Sequence, residues 1–98
     1  MSTFAGFHPA ARLEMRDAAD FYDLERAGLG AEFLDEVERA VLQVLEYPKA
    51  SPVVLDATRT HAISRFPYSV MYSVRDGGVF VSAVAHHSRR PFYWRDRA

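Results

Sequence analysis

The sequence predicts an α+β fold, with two helices on one side of a mainly antiparallel sheet. In the first half of the chain, two stretches repeat apolar residues at three- and four-residue spacing, as amphipathic helices do. In the second half, the hairpin signal Asp76-Gly77-Gly78 separates two stretches that alternate or are rich in β-branched residues. A short apolar segment precedes the first helix. The predicted order is β-α-α-β-β-β: an N-terminal edge strand, an antiparallel helical hairpin and a three-strand antiparallel meander.

The first strand and first helix meet at Pro9. Phe4 to Phe7 is short, apolar and stopped by this proline, which predicts an edge strand. Pro9 suits the first turn of a helix, where its missing N–H leaves no hydrogen bond unmade. The helix is predicted from Ala10 to about Glu25, with small and apolar residues on one face and acidic residues largely opposite. The two sets are Ala11, Met15, Ala18, Ala19 and Tyr22, and Glu14, Asp17, Asp20 and Glu25.

A second helix follows the break Gly28-Leu29-Gly30. The two glycines supply a C-cap for the first helix and a tight connection, so the helices should form an antiparallel hairpin. The helix is predicted from near Ala31 to Tyr47-Pro48, and its apolar face has the clearest helical period in the chain, comprising Phe33, Leu34, Val37, Val41, Val44 and Leu45. Its acidic residues predict a solvated outer face of Glu32, Asp35, Glu36 and Glu38.

Three strands are predicted between residues 58 and 85. Thr58 to Phe66 is the first, and it turns at Pro67-Tyr68 because proline has no N–H for a sheet ladder. The central strand begins after this turn and alternates apolar with polar side chains. Val79 to Ala85 is rich enough in β-branched residues to predict a strand that is buried on both faces.

Composition excludes several classes of protein. The hydrophobic share of 49% and the charged share of 26% are ordinary for a globular domain. No apolar run approaches the roughly 20 residues that span a bilayer, so we expect a cytoplasmic protein without membrane contact. The chain has no cysteine, which excludes disulfides, thiolate metal sites and a cysteine nucleophile.

The charges are distributed unevenly along the chain. Residues 1–50 carry five Lys or Arg and ten Asp or Glu, whereas residues 51–98 carry seven Arg and three Asp. The guanidinium group matches phosphate and carboxylate with two parallel hydrogen bonds, so the arginine-rich half suggests a surface that faces anions. The alternatives are that the two halves neutralise each other across the fold, or that the arginines protect a sheet edge from aggregation.

The end of the last strand is where we expect a functional site. His86-His87-Ser88-Arg89-Arg90 is followed by Phe92-Tyr93-Trp94, which combines proton-transferring, cationic and aromatic side chains. Alternation along a strand sends His86 and His87 to opposite faces, so at most one of them should join a site. We expect no metal site and no cofactor, because two adjacent histidines diverge. We expect Tyr93 and Trp94 to close the core rather than to stack on a nucleic-acid base.

Three stretches together resemble the RelE/ParE family of toxins from type II toxin–antitoxin systems. The first is Phe7-His8-Pro9-Ala10-Ala11, which leads into a helix with Ala18-Ala19 and Phe21-Tyr22. The second is Gly28-Leu29-Gly30-Ala31-Glu32-Phe33-Leu34. The third runs from Arg65-Phe66-Pro67-Tyr68 through Tyr72 and Ala83-Val84-Ala85-His86 to Arg90-Pro91 and Tyr93-Trp94. The resemblance covers nearly the whole chain, so it implies that residues 1–98 form one toxin domain of two helices against a twisted antiparallel sheet.

This resemblance also implies a partner and a target. Such toxins, which include plasmid-stabilisation proteins, are held inactive by a cognate antitoxin, here of the ParD or RelB kind, acidic and partly disordered. RelE-like members cut mRNA inside the ribosome, whereas ParE-like members poison DNA gyrase. Under the ParE-like hypothesis the target contacts Arg65, Arg89, Arg90, Tyr93 and Trp94.

Under the RelE-like hypothesis the catalytic residues are Arg65, His86 or His87, Arg90 and Tyr93. Metal-free cleavage needs a base for the 2′-hydroxyl, a cation on the developing phosphorane and an acid for the leaving oxygen. The sheet half has no lysine and no carboxylate placed as a base, so the sequence slightly favours the ParE-like mode. Two further alternatives remain: an inactive homologue that only binds partners, and an Arg65 that simply pairs with an acidic residue on a helix.

Overall fold

Two helices lie on one face of a five-stranded sheet in the computed structural model, which describes residues 4–97. The elements, in chain order, are β1 (Phe4–Phe7), α1 (Pro9–Glu25), α2 (Leu29–Glu46), β2 (Val53–Leu55), β3 (Thr58–Ala62), β4 (Tyr68–Arg75) and β5 (Gly78–His86). The α+β class, the edge strand, the helical hairpin and the meander are confirmed. No helix within the described range has the length and apolar character required to cross a bilayer.

The strands lie in the order β1-β5-β4-β3-β2. The first strand pairs in parallel with β5, and every other neighbouring pair is antiparallel. The strand β2 was not predicted, because three residues are too few to show a period of two. It pairs with β3 through an irregular register and forms the second edge of the sheet.

Both predicted turns of the meander are present, with one difference in length. Arg75 pairs with Gly78, so the hairpin loop is Asp76-Gly77, and Gly77 adopts φ 73° as a tight connection requires. The predicted strand over Thr58 to Phe66 ends four residues early, at Ala62. The chain then turns into the core, with Arg65 at φ 72° and Phe66 buried.

The connection between the helices differs from the prediction in the role of its glycines. The C-cap of α1 is Arg26 in extended conformation, and Gly28, at φ 90°, is instead the residue that caps the start of α2. Gly30 lies inside α2, buried, and its N–H donates to Oδ1 of Asp23 at 2.8 Å. A Cβ at Gly30 would overlap the backbone carbonyl oxygen of Ala19, so this glycine permits the close approach of the helices.

The main core lies between the helices and the sheet. It joins the predicted apolar face of α1, notably Ala11, Ala18 and Ala19, with α2 and the strands β4 and β5. A second cluster covers the opposite face of the sheet, where Ala83 and Ala85 pack with Trp94. The prediction that the last strand is buried on both faces is therefore confirmed, with the tail after β5 supplying the second layer.

Candidate partner-binding site

A cleft of about 380 Å³ opens on the sheet face opposite the helices. It lies between the end of β5, the edge strand β2 and the segment that follows β5. Its apolar part consists of Val54, Met71, Ala85, Pro91, Phe92 and Trp94, and its polar part of His86, His87, Arg89, Arg90 and Tyr93. No Asp or Glu lines it. We call it the tail cleft.

Both histidines contribute to the lining of the tail cleft, but their rings lie on opposite faces of the sheet, as alternation along the strand predicts. The ring of His86 packs against Tyr68 on the helical side, with 5.0 Å between ring centres, and also borders a cleft beside Glu14 and Phe21 of α1. The backbone N–H of His87 donates to the carbonyl oxygen of Pro67 at 2.8 Å. Each ring is held by a neighbouring serine. Nδ1 of His86 accepts the backbone N–H of Ser88 at 3.0 Å, and Nε2 of His87 lies 2.9 Å from the hydroxyl of Ser69.

Tyr93 is tied to the first helix. Its hydroxyl donates to Oε2 of Glu14 at 2.7 Å, and the guanidinium of Arg89 stacks 3.9 Å from the centre of its ring. Burial, followed by the hydrogen bond to Glu14, raises the pKa of Tyr93 well above its ordinary value. The phenol therefore keeps its proton and acts as a structural donor.

Glu14 has a role that the sequence did not indicate. It was predicted on the outer face of α1, yet its side chain is only 15% exposed and its carboxylate accepts three hydrogen bonds. Besides Tyr93, the donors are the backbone N–H of Val84 at 3.1 Å and the guanidinium of Arg97 at 3.0 Å. The pairing of β1 with β5 ends at Val81, and Glu14 satisfies the backbone beyond that point.

Arg65 is not part of the tail cleft. Its guanidinium donates to Glu32 on α2 at 2.6 Å and lies 3.7 Å from Glu36, which confirms the alternative that it pairs with helix carboxylates. Glu36 is 5% exposed and also accepts Arg39 at 2.7 Å, so the prediction of a fully solvated acidic face is wrong at this position. The structure thus separates Arg65 from the other predicted site residues, because its partners lie on the helical side of the sheet.

The remaining predicted residues divide between the surface and the core. Trp94 is 4% exposed and packs on Ala83 and Ala85, so its ring supports the tail cleft from within the fold. Arg90 is exposed, and no group in residues 4–97 forms a hydrogen bond, ion pair or ring contact with its guanidinium. Within the tail cleft, Arg90 is accordingly the cation available to a partner.

The fold places the protein in the class of small α+β domains in which a helical hairpin packs on one face of a mixed sheet. A solved structure described as "Chromosomal ParDE TA system from P. aeruginosa" shares this fold, with a TM-score of 0.75 and 14% identity over 88% of this chain and 95% of that chain. No curated protein matches the chain. A family model described as "ParE toxin of type II toxin-antitoxin system, parDE" matches residues 6–91. The chain belongs to this family of ParE toxins, which confirms the resemblance drawn from its sequence.

Proposed function

We propose that this protein is the toxin of a type II toxin–antitoxin module and that it inhibits growth by binding DNA gyrase. The observation that carries this choice of target is the engagement of Tyr93 and Arg65 by carboxylates of their own chain. Both residues were candidates for RNA cleavage. In the folded protein Tyr93 donates a hydrogen bond to Glu14, and Arg65 donates one to Glu32.

The chemistry of RNA cleavage explains why these contacts matter. An acid must release its proton to the leaving oxygen, and a cation must face the phosphorane. A phenol with a raised pKa that already donates to a carboxylate is a poor acid, and the guanidinium of Arg65 pairs with Glu32 and does not line the tail cleft. A binding toxin needs neither group free, since it requires only an exposed surface.

The proposed contact surface is the rim of the tail cleft, formed by Arg89, Arg90 and Tyr93. Stacking of Arg89 on Tyr93 fixes both side chains before a partner arrives, which lowers the entropy cost of binding. In this proposal Arg65 supports the fold on the helical side, and Trp94 forms part of the floor of the tail cleft.

We propose a different face for the cognate antitoxin. The outer side of α1 exposes Leu13, Phe21 and Leu24 at 51%, 54% and 89%. The positions are eight and three residues apart, so these side chains fall on one stripe of the helix. An amphipathic segment that folds on binding can cover such a stripe with its own apolar face.

Induction of the toxin in cells without its antitoxin tests the proposed target. We expect double-strand DNA breaks and altered plasmid supercoiling, and both should disappear in cells that carry a resistant gyrase. Ribosome-bound mRNA with codon-phased ends and intact DNA would instead establish the RelE-like endonuclease. Normal growth, with neither kind of damage, would identify an inactive homologue that only binds partners.

A further inference from the structure

We infer that the tail cleft is an anchor pocket that takes one large apolar side chain of gyrase, flanked on the gyrase segment by a carboxylate. This inference rests on the proposed target and adds the chemistry of the contact. Its basis is the pairing of an apolar floor with an unpartnered cation inside a concavity of about 380 Å³.

The floor is built for an apolar occupant. Val54 and Phe92 are 37% and 39% exposed, and they line the cleft together with the buried indole of Trp94. A concave apolar surface of this kind gains most when a single large side chain fills it and displaces its water. The ring of Phe92 lies edge-on to Trp94, with 5.9 Å between ring centres, so the wall is already in place.

The rim selects the charge of the occupant. Arg90 has no partner in residues 4–97, and Arg89 lies 3.9 Å from Glu14, at the limit of an ion pair. With no Asp or Glu among the lining residues, a carboxylate that enters beside the apolar side chain can pair with Arg90 without meeting another carboxylate of the lining. An incoming basic side chain would meet repulsion, so the rim also excludes wrong partners.

A protein segment fits this cleft better than a nucleic acid. Proteins that bind nucleic acids carry a continuous basic stripe, whereas this chain has a sequence pI of about 6.4 and a net charge of −1. Among the residues that the structure describes, Arg90 is the one guanidinium of the cleft without a partner, and a single guanidinium cannot track a phosphate backbone.

Two variants and one matched control test the inference with purified gyrase holoenzyme. Val54→Trp fills the cleft without changing charge, and its position on an edge strand tolerates a large aromatic residue. Arg90→Glu reverses the charge of the rim. Arg95→Glu makes the same change on another exposed arginine that has no side-chain partner in the described part of the chain and does not line the cleft. Affinities are measured at about 0.15 M salt, where distant charges are screened.

We expect Val54→Trp and Arg90→Glu to bind gyrase at least about tenfold more weakly than the wild type, and Arg95→Glu to bind within about twofold. Thermal unfolding confirms that all variants are folded. Wild-type affinity in either cleft variant overturns the inference. So does a selective loss of binding to a DNA duplex alone, or to the antitoxin alone. If the wild type itself does not bind gyrase, the proposed target is wrong. This result is distinct from the outcomes above, in which the wild type binds gyrase and only the role of the cleft is refuted.

Discussion

The hydroxyl of Tyr93 donates to Oε2 of Glu14 at 2.7 Å and so joins the C-terminal segment to α1. The same carboxylate accepts the backbone N–H of Val84 and the guanidinium of Arg97. One side chain therefore satisfies a backbone N–H of β5 beyond the part that β1 covers and also holds the segment that forms the tail cleft. The shape of the proposed binding surface depends on a residue outside it.

The first prediction is that Glu14→Ala destabilises the protein by about 2–4 kcal/mol, because it leaves the buried N–H of Val84 and the hydroxyl of Tyr93 without an acceptor. Arg97 loses its carboxylate partner and keeps only the carbonyl oxygen of Ser82. Urea unfolding followed by circular dichroism measures the change. Asp17→Ala, on the same helix and exposed, is the control and should change the free energy of unfolding by less than about 0.5 kcal/mol. Equal effects of the two substitutions would contradict the role of Glu14.

The second prediction concerns alkaline pH. Burial raises the pKa of Tyr22, Tyr68 and Tyr93 above their ordinary value, with the hydrogen bond to Glu14 as a further cause for Tyr93. Above about pH 10 the unfolded chain loses these protons first, so the stability conferred by the protonated phenols is complete below that pH and falls as pH rises. The urea concentration at the midpoint of unfolding should fall less steeply with rising pH for Tyr93→Phe than for the wild type. An equally steep decline would show that Tyr93 does not carry the effect.

The helices and the long strands could be predicted from the sequence because their periodic patterns extend over many residues. The 18 residues of α2 and the nine of β5 repeat a local pattern that reflects which side is buried. The strand β2 and the early end of β3 could not be found this way. The limits of β2 depend on its pairing with β3, and the end of β3 depends on the burial of Ile63 and Phe66. Both are tertiary effects.

The candidate site was only partly predictable for a related reason. His86, His87, Arg90 and Tyr93 are close in sequence, so a single turn after β5 brings them to one cleft. The partners of Glu14 and Arg65 lie up to 83 and 33 positions away. Helical periodicity assigned Glu14 to the outer face because no local pattern records a tail that folds back to meet it.

The third prediction separates two glycines by physical cause. Gly30→Ala should destabilise the protein by about 1–3 kcal/mol, because the new Cβ meets the carbonyl oxygen of Ala19 and the side chain of Asp23. Gly28→Ala has open space around the new Cβ but keeps φ 90°, so its cost should be about 1 kcal/mol and arises from backbone strain alone. Substituting D-alanine at position 28 by chemical synthesis should restore stability, because a D residue adopts a positive φ without strain. A Gly30→Ala protein as stable as the wild type would refute the steric account, and failure of D-alanine to restore stability at position 28 would refute the strain account.

The fourth prediction concerns acidic pH. The hydrogen bond from Arg65, followed by that from Arg26, lowers the pKa of Glu32. The stability from this carboxylate is present above its ordinary pKa and is lost as pH falls through the lowered value. Arg65→Gln should therefore flatten the acid side of the stability profile and leave gyrase binding intact. Arg16→Gln, an exposed change on α1, is the control. If Arg65→Gln loses gyrase binding and Arg16→Gln does not, Arg65 is part of the surface that contacts gyrase.

The fifth prediction tests the separation of the two proposed faces. Phe21→Glu places a charge in the exposed apolar stripe of α1, so it should weaken binding of the purified cognate antitoxin about tenfold or more and leave gyrase poisoning unchanged. Leu42→Glu is the matched control, because Leu42 is 58% exposed on the other helix, outside the stripe. Cells that co-express the antitoxin should stop growing with the first variant and survive with the second. Full neutralisation of Phe21→Glu would place the antitoxin elsewhere, and loss of poisoning would mean that this stripe also serves the target.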